Sequence, residues 1–352
     1  MLCIWTGSEK LCKDGFGRQT RGKGVEAMSE TSVAASGNVA GRKFLRGALF
    51  AMLGGVCWGF SGACGQFLMS TYGVDPVWIM AVRLTIAGTV ILIACLVMPS
   101  QRKVLLSRDF LCSWRNVRDI VAFGALGLAL LQFCYLMAID NSNAGTATVL
   151  SYIGPVFVVL YGCLREKRAP RKNEVLALGC VLIGAFIIAT HGNPANMVIT
   201  PAGLAWGLLC ALCMVFYTVI PERIMKSFGS MPVTSVSMLL TGAVLSVAFL
   251  PRIAWPEFDL LGVLAIGGMV VFGTIFAFML YLEGVSLIGA ARASMLSSVE
   301  TISAAGFAVL WLGTTFAPFD LVGFTFIMCT VFLLTDFSPR NVFSIISRVF
   351  ER

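Results

Sequence analysis

Ten runs of mostly apolar residues divide this chain, each near the roughly 20 residues that a helix needs to cross a hydrocarbon core of about 30 Å. Bounded by charge, Pro or Gly, they read Phe44–Met69, Pro76–Met98, Val117–Ile139, Ala144–Leu164, Glu174–Thr190, Ala202–Val219, Val233–Leu250, Leu260–Leu282, Gly289–Leu312 and Phe319–Leu334. The apolar residues come as runs, not at amphipathic helical or strand spacing, as a helix surrounded by lipid or by other helices requires. With 58% hydrophobic and 12% charged residues, the chain is far from the roughly 25% charged of a soluble domain. The expected fold is all-α, a polytopic membrane protein of ten transmembrane helices.

The basic residues sort by side. Cytoplasmic loops carry the excess of Lys and Arg. With the amino terminus inside, the tail up to Arg46, the loops Arg102–Arg118 and Arg165–Lys172, the pair Arg223 and Lys226, and the tail after Pro339 hold 23 of the 26 basic residues. Arg252 alone falls outside, and Arg83 and Arg292 lie within or beside spans. Both termini are expected in the cytoplasm of a cell with a bacterial-type inner membrane. This sorting accounts for the net charge of +8 without nucleic acid as a partner.

Residues 1–43 are polar and rich in Gly and Ser, and are expected to form a disordered cytoplasmic tail. They lack the apolar stretch of a secretory signal, and Met28, which opens an ordinary leader, is read as the natural start. Residues 337–352 are expected to form an amphipathic cytoplasmic tail, with Val342, Phe343, Ile345, Ile346, Val349 and Phe350 facing the inner membrane surface and Arg348 opposite. The cysteines fall mainly inside apolar runs and read as small hydrophobes. Cys210 and Cys213 have CxxC spacing but no second ligand pair, and read as packing.

The second half resembles the first. Gly47, Leu53, Cys57 and Phe60 match Gly203, Leu209, Cys213 and Phe216 at one constant offset. Gly127, Tyr135, Ala147, Leu150 and Ser151 match Gly273, Tyr281, Ala293, Leu296 and Ser297 at another. Two repeats, 44–190 and 202–336, then hold five spans each. An odd number per repeat inverts the second half, the arrangement that underlies alternating access in secondary transporters.

Ionisable groups inside a membrane are costly, so each is a functional candidate. Glu300 lies near the middle of the ninth run and reads either as a substrate or proton site or as a structural hydrogen bond. Arg83, about seven residues inside the second run, either snorkels outward or touches substrate. Pro155 interrupts the fourth run and exposes a carbonyl, either as a gating break beside Tyr152 or as a packing kink. Trp58, Tyr135, Tyr217 and Tyr281 have a polar handle on an apolar body and could line a pocket. Arg292 and Glu283 read as interfacial anchors, and Gly54, Gly55, Gly59 and Gly62 as close-packing positions. No phosphate loop, no Glu-x-x-His helix and no long cytoplasmic segment is present, so an enzyme, a resident cofactor and a metal are not expected.

The stretch NAGTATVLSYIGPVFVVLYGCLREKRAPRKNEVLALGCVLIGAFIIATHG resembles the repeat of the EamA-type transporters in the drug/metabolite transporter superfamily. The likeness continues in AVRLTIAG, GLLCALCMVFYTVIPERI and GTIFAFMLYLEGVSLIGAARASMLSSVETISA, and covers about residues 44 to 336. The resemblance implies two inverted five-helix repeats, a central cavity, and transport of amino acids, amines or related metabolites. By position Pro155 matches the proline of the first repeat, and Glu300 the acidic residue just before the second repeat's proline. Thr301 stands where that second proline would be, Thr314 replaces the acidic residue that often ends the ninth span, and Glu166 comes about two residues early for its counterpart. These departures bear on the particular substrate.

The expected function is therefore a secondary active transporter of a small metabolite. Its partners are that substrate and the bilayer, with a coupling proton and a second copy of the chain also admitted. The competing reading is a non-transporting assembly or sensor subunit that works through its cytoplasmic tails.

Overall fold

Inside a bilayer a backbone has no water to bond with, so each apolar run closes its own hydrogen bonds as a helix. The computed structural model describes residues 24–334 except 192, 194–197, 250, 252, 254, 290–292 and 294–295, with residues 24–43, 111, 331 and 334 described by their backbone alone. The surface helix expected over 337–352, Arg292 and the first 23 residues lie outside the described residues. All described elements are helical, and among the described residues there is no strand.

Eight helices are long and apolar enough to cross a membrane. The first, α1, runs Gly24–Tyr72 with its apolar part at Phe44–Tyr72, so residues 24–43 continue α1 as helix ahead of the expected span. The others are α2 (Pro76–Val97), α3 (Trp114–Asp140), α4 (Ala144–Glu166), α5 (Lys172–Thr190), α6 (Pro201–Val219), α7 (Ser230–Phe249) and α8 (Leu260–Ile288). Two shorter apolar helices follow, α9 (Val299–Leu310) and α10 (Pro318–Leu334). The ninth run differs from expectation. It is not one continuous helix over Gly289–Leu312, because a turn at Ser298 interrupts it, after which Val299–Leu310 runs as regular helix.

Local chemistry sets the starts. Asp75 caps α2 by accepting from the Val77 amide, with Pro76 at the first helical position, where a missing N–H costs nothing. Asn143 accepts from the Thr146 amide to start α4, Thr200 caps α6 at Gly203, and Asp259 caps α8 at Gly262. Each cap satisfies an amide that the helix leaves open.

The helices pair across the two halves of the chain. The principal packings are α2 on α7, α1 on α8, α10 on α5, α1 on α9, α6 on α3 and α6 on α4. His191 Nε2 lies 2.8 Å from Asp320 Oδ1 at the head of the α5–α10 pair.

The glycines of α1 permit the closest of these approaches. A Cβ at Gly55 would lie 2.4 Å from the Ser297 carbonyl oxygen, and one at Gly59 2.7 Å from the Glu300 carbonyl oxygen. Backbone-to-backbone contact at small residues is how membrane helices associate without a hydrophobic driving force. Here it holds the break in α9 directly against α1.

Candidate functional site

Spans α3 and α8 each widen into a π turn near mid-length, at Phe123–Ala129 and Val271–Phe276. Such turns commonly mark functional positions in membrane and soluble helices. Span α4 is broken at Tyr152–Ile153, and the ninth apolar run at Ser298, just ahead of α9. In α4 the cause is Pro155, which has no N–H to donate. In α9 no proline is present; Thr301 donates both its amide (3.1 Å) and its hydroxyl (2.9 Å) to the Ser298 carbonyl, a local bond that competes with regular helix.

These four irregularities surround one cavity of about 360 Å³. Every residue singled out as a substrate or gating candidate lines it: Trp58, Arg83, Tyr135, Tyr152, Pro155, Tyr281 and Glu300. Tyr217 joins them on α6.

Glu300 sits in the first turn of α9. Its Oε2 accepts a hydrogen bond of 3.0 Å from the Tyr152 hydroxyl, which also lies 3.5 Å from the Ser297 carbonyl oxygen. Among the described residues no Lys or Arg lies within ion-pairing distance of Glu300. The Tyr135 hydroxyl is 2.8 Å from Thr148 Oγ1, and a Cβ at Gly62 would fall 2.6 Å from that hydroxyl. Gly62 is therefore what leaves room for Tyr135. Trp58 packs against Tyr281 with ring centroids 5.2 Å apart, and edge-on against Phe278 at 6.2 Å.

Arg83 does not snorkel outward. Its Nε donates to Thr274 Oγ1 at 3.0 Å and its Nη2 to the Gly273 carbonyl at 3.3 Å. The guanidinium thus reaches from α2 onto the π turn of α8. Glu283 is exposed near the end of α8, apart from the cavity.

Two wall residues escaped sequence reasoning. Ser61 and Gln132 line the cavity, and the Ser61 hydroxyl and Gln132 Nε2 are buried with no hydrogen-bond partner among the described residues. A glutamine inside the apolar stretch Leu130–Tyr135, one helical turn before a tyrosine, was the available signal.

A bundle of apolar helices whose intramembrane charges converge on a cavity large enough for a small solute defines a multi-pass membrane protein with a solute-sized internal site. The family model of EamA-like transporters matches residues 45–190 and again 201–336. The chain is 33% identical over 300 residues to the "Uncharacterized inner membrane transporter YicL" of Salmonella typhimurium, across 84% of this chain and 97% of that one. It is 22% identical over 302 residues to the "Uncharacterized transporter YwfM" of Bacillus subtilis, across 83% and 94%. A solved crystal structure shares the fold at a TM-score of 0.57 and 17% identity, covering 84% of this chain and 97% of its own. The protein belongs to the EamA-like transporter family and is a transporter-family protein, not an enzyme.

Proposed function

We propose that the protein is a secondary active transporter that carries a small metabolite, such as an amino acid or amine, across the inner membrane by alternating access. Ten spans form two inverted five-helix repeats, 44–190 and 202–336, with both termini in the cytoplasm. The observation that carries this reading is the crossed pairing of the halves. If α1 to α5 correspond to α6 to α10, then α2–α7 and α5–α10 pair with themselves, while α1–α8 mirrors α6–α3 and α1–α9 mirrors α6–α4. Gly47 faces Leu287 at the end of α8, and its counterpart Gly203 faces Asn141 at the end of α3. The two separate family matches support the same division.

Two half-bundles that meet on such an axis have two packings of similar energy, one open to each side. The breaks at Tyr152 and Ser298 place backbone and side-chain polar groups at the cavity, where irregular backbone is tolerated. Glu300 is the acceptor in this site. Its carboxylate takes either a proton or a cationic group of the substrate, and Tyr152 holds it in place between the two. Pro155 keeps the α4 break open as α4 moves, and Trp58, Tyr135 and Tyr281 supply aromatic faces for the substrate body.

Purified protein in liposomes is expected to move radiolabelled amino acids or amines down an imposed gradient, with proton flux accompanying it. Deletion of residues 1–27 and of everything after Arg340 is expected to leave that flux intact. A chain that loses its cellular role with its tails and moves no solute in liposomes would be an assembly or sensor subunit.

A further inference from the structure

The connection between α2 and α3 is built, not slack. It winds into two short helices, Pro99–Leu105 and Arg108–Leu111, before α3 starts at Trp114. Leu105 and Phe110 are buried in the main core, and Phe110 packs on Phe228 with ring centroids 5.1 Å apart. Asn116 donates from Nδ2 to the Asp109 carbonyl at 2.6 Å and accepts from Arg223 at 2.9 Å. Pinned on one side in this way, the segment holds its remaining side chains outward.

Those side chains are of two kinds. Leu106 is 72% exposed and Trp114 77%, and each shares a helical face with cations. The Leu106 amide bonds to the Arg102 carbonyl at 3.0 Å, so the two side chains are neighbours four residues apart, and Lys103 is exposed as well. At the start of α3, Trp114, Arg115 and Arg118 are exposed within an arc of about 100°, while Asn116, Asp119 and Ile120 are turned inward and buried.

The charge of the segment is left open. Residues 99–118 hold five basic residues and one acid, Asp109. Among the described residues Arg102, Lys103, Arg108 and Arg115 have no ion-pair partner, and the buried Asp119 is taken by Arg223 at 2.9 Å and Arg118 at 3.0 Å. The α4–α5 loop differs: Arg168 pairs with Glu166 and Glu174, both at 2.9 Å, and no large apolar side chain stands between Arg165 and Asn173.

An exposed Trp and Leu at the end of a span suit the headgroup level of a bilayer, and uncompensated cations at that depth attract anionic lipid. We propose that the segment Pro99–Arg118 is a docking site for an anionic phospholipid. Arg102, Lys103, Arg108 and Arg115 bind its phosphate, and Leu106 and Trp114 enter the boundary of its acyl chains. A zwitterionic headgroup fits less well, because its own cation meets the same four charges. Which leaflet supplies the lipid, the cytoplasmic one, rests on the topology proposed above.

The test titrates the purified full-length protein in detergent with phosphatidylglycerol or phosphatidylcholine and reads the thermal shift, since a ligand of the folded state raises its melting temperature. Phosphatidylglycerol should half-saturate at a concentration at least about tenfold lower. Lys103→Gln combined with Arg115→Gln should raise that concentration about 25-fold, at about fivefold for each charge. Lys167→Gln with Lys172→Gln, the same loss of charge on the α4–α5 loop, should leave it unchanged. Trp114→Ala should weaken both lipids about tenfold and keep the preference between them. These side chains are exposed, so the variants should melt with wild type before lipid is added. The proposal is overturned if phosphatidylglycerol gives no shift, if phosphatidylcholine does as well, or if the α4–α5 pair weakens binding as much. It is also overturned if inorganic phosphate alone gives the same shift, which would mark a site for a free anion. The topology is read separately, with Cys112, exposed in this segment, as the sole cysteine: labelling by an impermeant maleimide from outside intact cells would sink the assigned leaflet and leave lipid binding in detergent standing.

Discussion

The Tyr152 hydroxyl donates to Glu300 Oε2 across 3.0 Å, and this bond joins the break in α4 to the break in α9. It is one direct link between the first half and the second at the cavity, beside the bond from Arg83 of α2 to Thr274 of α8. A carboxylate held this way has one proton-accepting position committed to Tyr152 and the rest open to the cavity. Glu300→Gln keeps the shape and removes the charge, so uptake in liposomes should fall about tenfold or more and lose its dependence on pH. Tyr152→Phe should retain the pH dependence but slow uptake. Wild-type flux and pH profile in the glutamine variant would remove Glu300 from the mechanism.

Close approach of α1 to α9 makes a second prediction. A Cβ at Gly59 would meet the Glu300 carbonyl oxygen and the Ala304 amide nitrogen, both at 2.7 Å, and backbone atoms cannot step aside. Gly59→Ala should therefore cost about 1–3 kcal/mol as overpacking and displace Glu300, lowering transport with it. Gly179→Ala on α5, where nothing lies within 4 Å, should be neutral or slightly stabilising by helix propensity. Thermal unfolding of the two variants in the same detergent decides it. Equal melting temperatures would mean that α1 and α9 are not pressed together at Gly59.

What the sequence disclosed follows the same physics. The eight long spans were legible to within a few residues because lipid demands length and apolarity, and caps such as Asp75 and Asn143 mark the starts. The cavity candidates were legible because Glu300, Arg83 and a few tyrosines are the rare polar handles in an apolar background. The pairing of α2 with α7 and of α5 with α10 was not, since a helix apolar on every side carries no stripe that names its neighbour. The break at Ser298 was also hidden: Pro155 announces the one in α4, whereas Ser298 and Thr301 make theirs by local hydrogen bonds that spacing does not reveal. Ser61 passed as one more small residue of a glycine-rich helix.

Acid should loosen the start of α8. Asp259 accepts from the Tyr72 hydroxyl and from the Gly262 amide, and these bonds, the tyrosine's first, hold its carboxyl below the ordinary carboxylate value. A depressed folded pKa contributes stability that is present above the unfolded value of about 4 and is lost as pH falls through the lower folded one. Asp259→Ala should thus melt a few degrees below wild type at pH 7, and the gap should close as the pH is lowered below the unfolded value of about 4. A gap that persists unchanged at the lowest pH would show that the carboxylate is not what ties α8 to Tyr72.

Alternating access makes a last demand on two ties at opposite ends of the bundle. In the proposed topology Tyr72 and Asp259 join the end of α1 to the start of α8 on the outer side. Arg223, on the short helix Glu222–Phe228 after α6, donates to Asp119 Oδ2 at 2.9 Å and to Asn116 Oδ1 at 2.9 Å near the start of α3 on the inner side. By the repeat correspondence α1 with α8 matches α6 with α3, so these are equivalent joints on opposite faces. If each holds its own face shut, removing one should shift the population toward opening on that face. Cys210 lines the cavity, and in a chain with its other cysteines replaced by serine or alanine it reports access from outside to an impermeant maleimide. Tyr72→Phe should raise the labelling rate, by about fivefold for the loss of one ordinary hydrogen bond. Arg223→Ala should lower it, because opening the inner face withdraws molecules from the outward-open state. Changes of the same sign in both variants would rule out a single equilibrium that the two ties oppose.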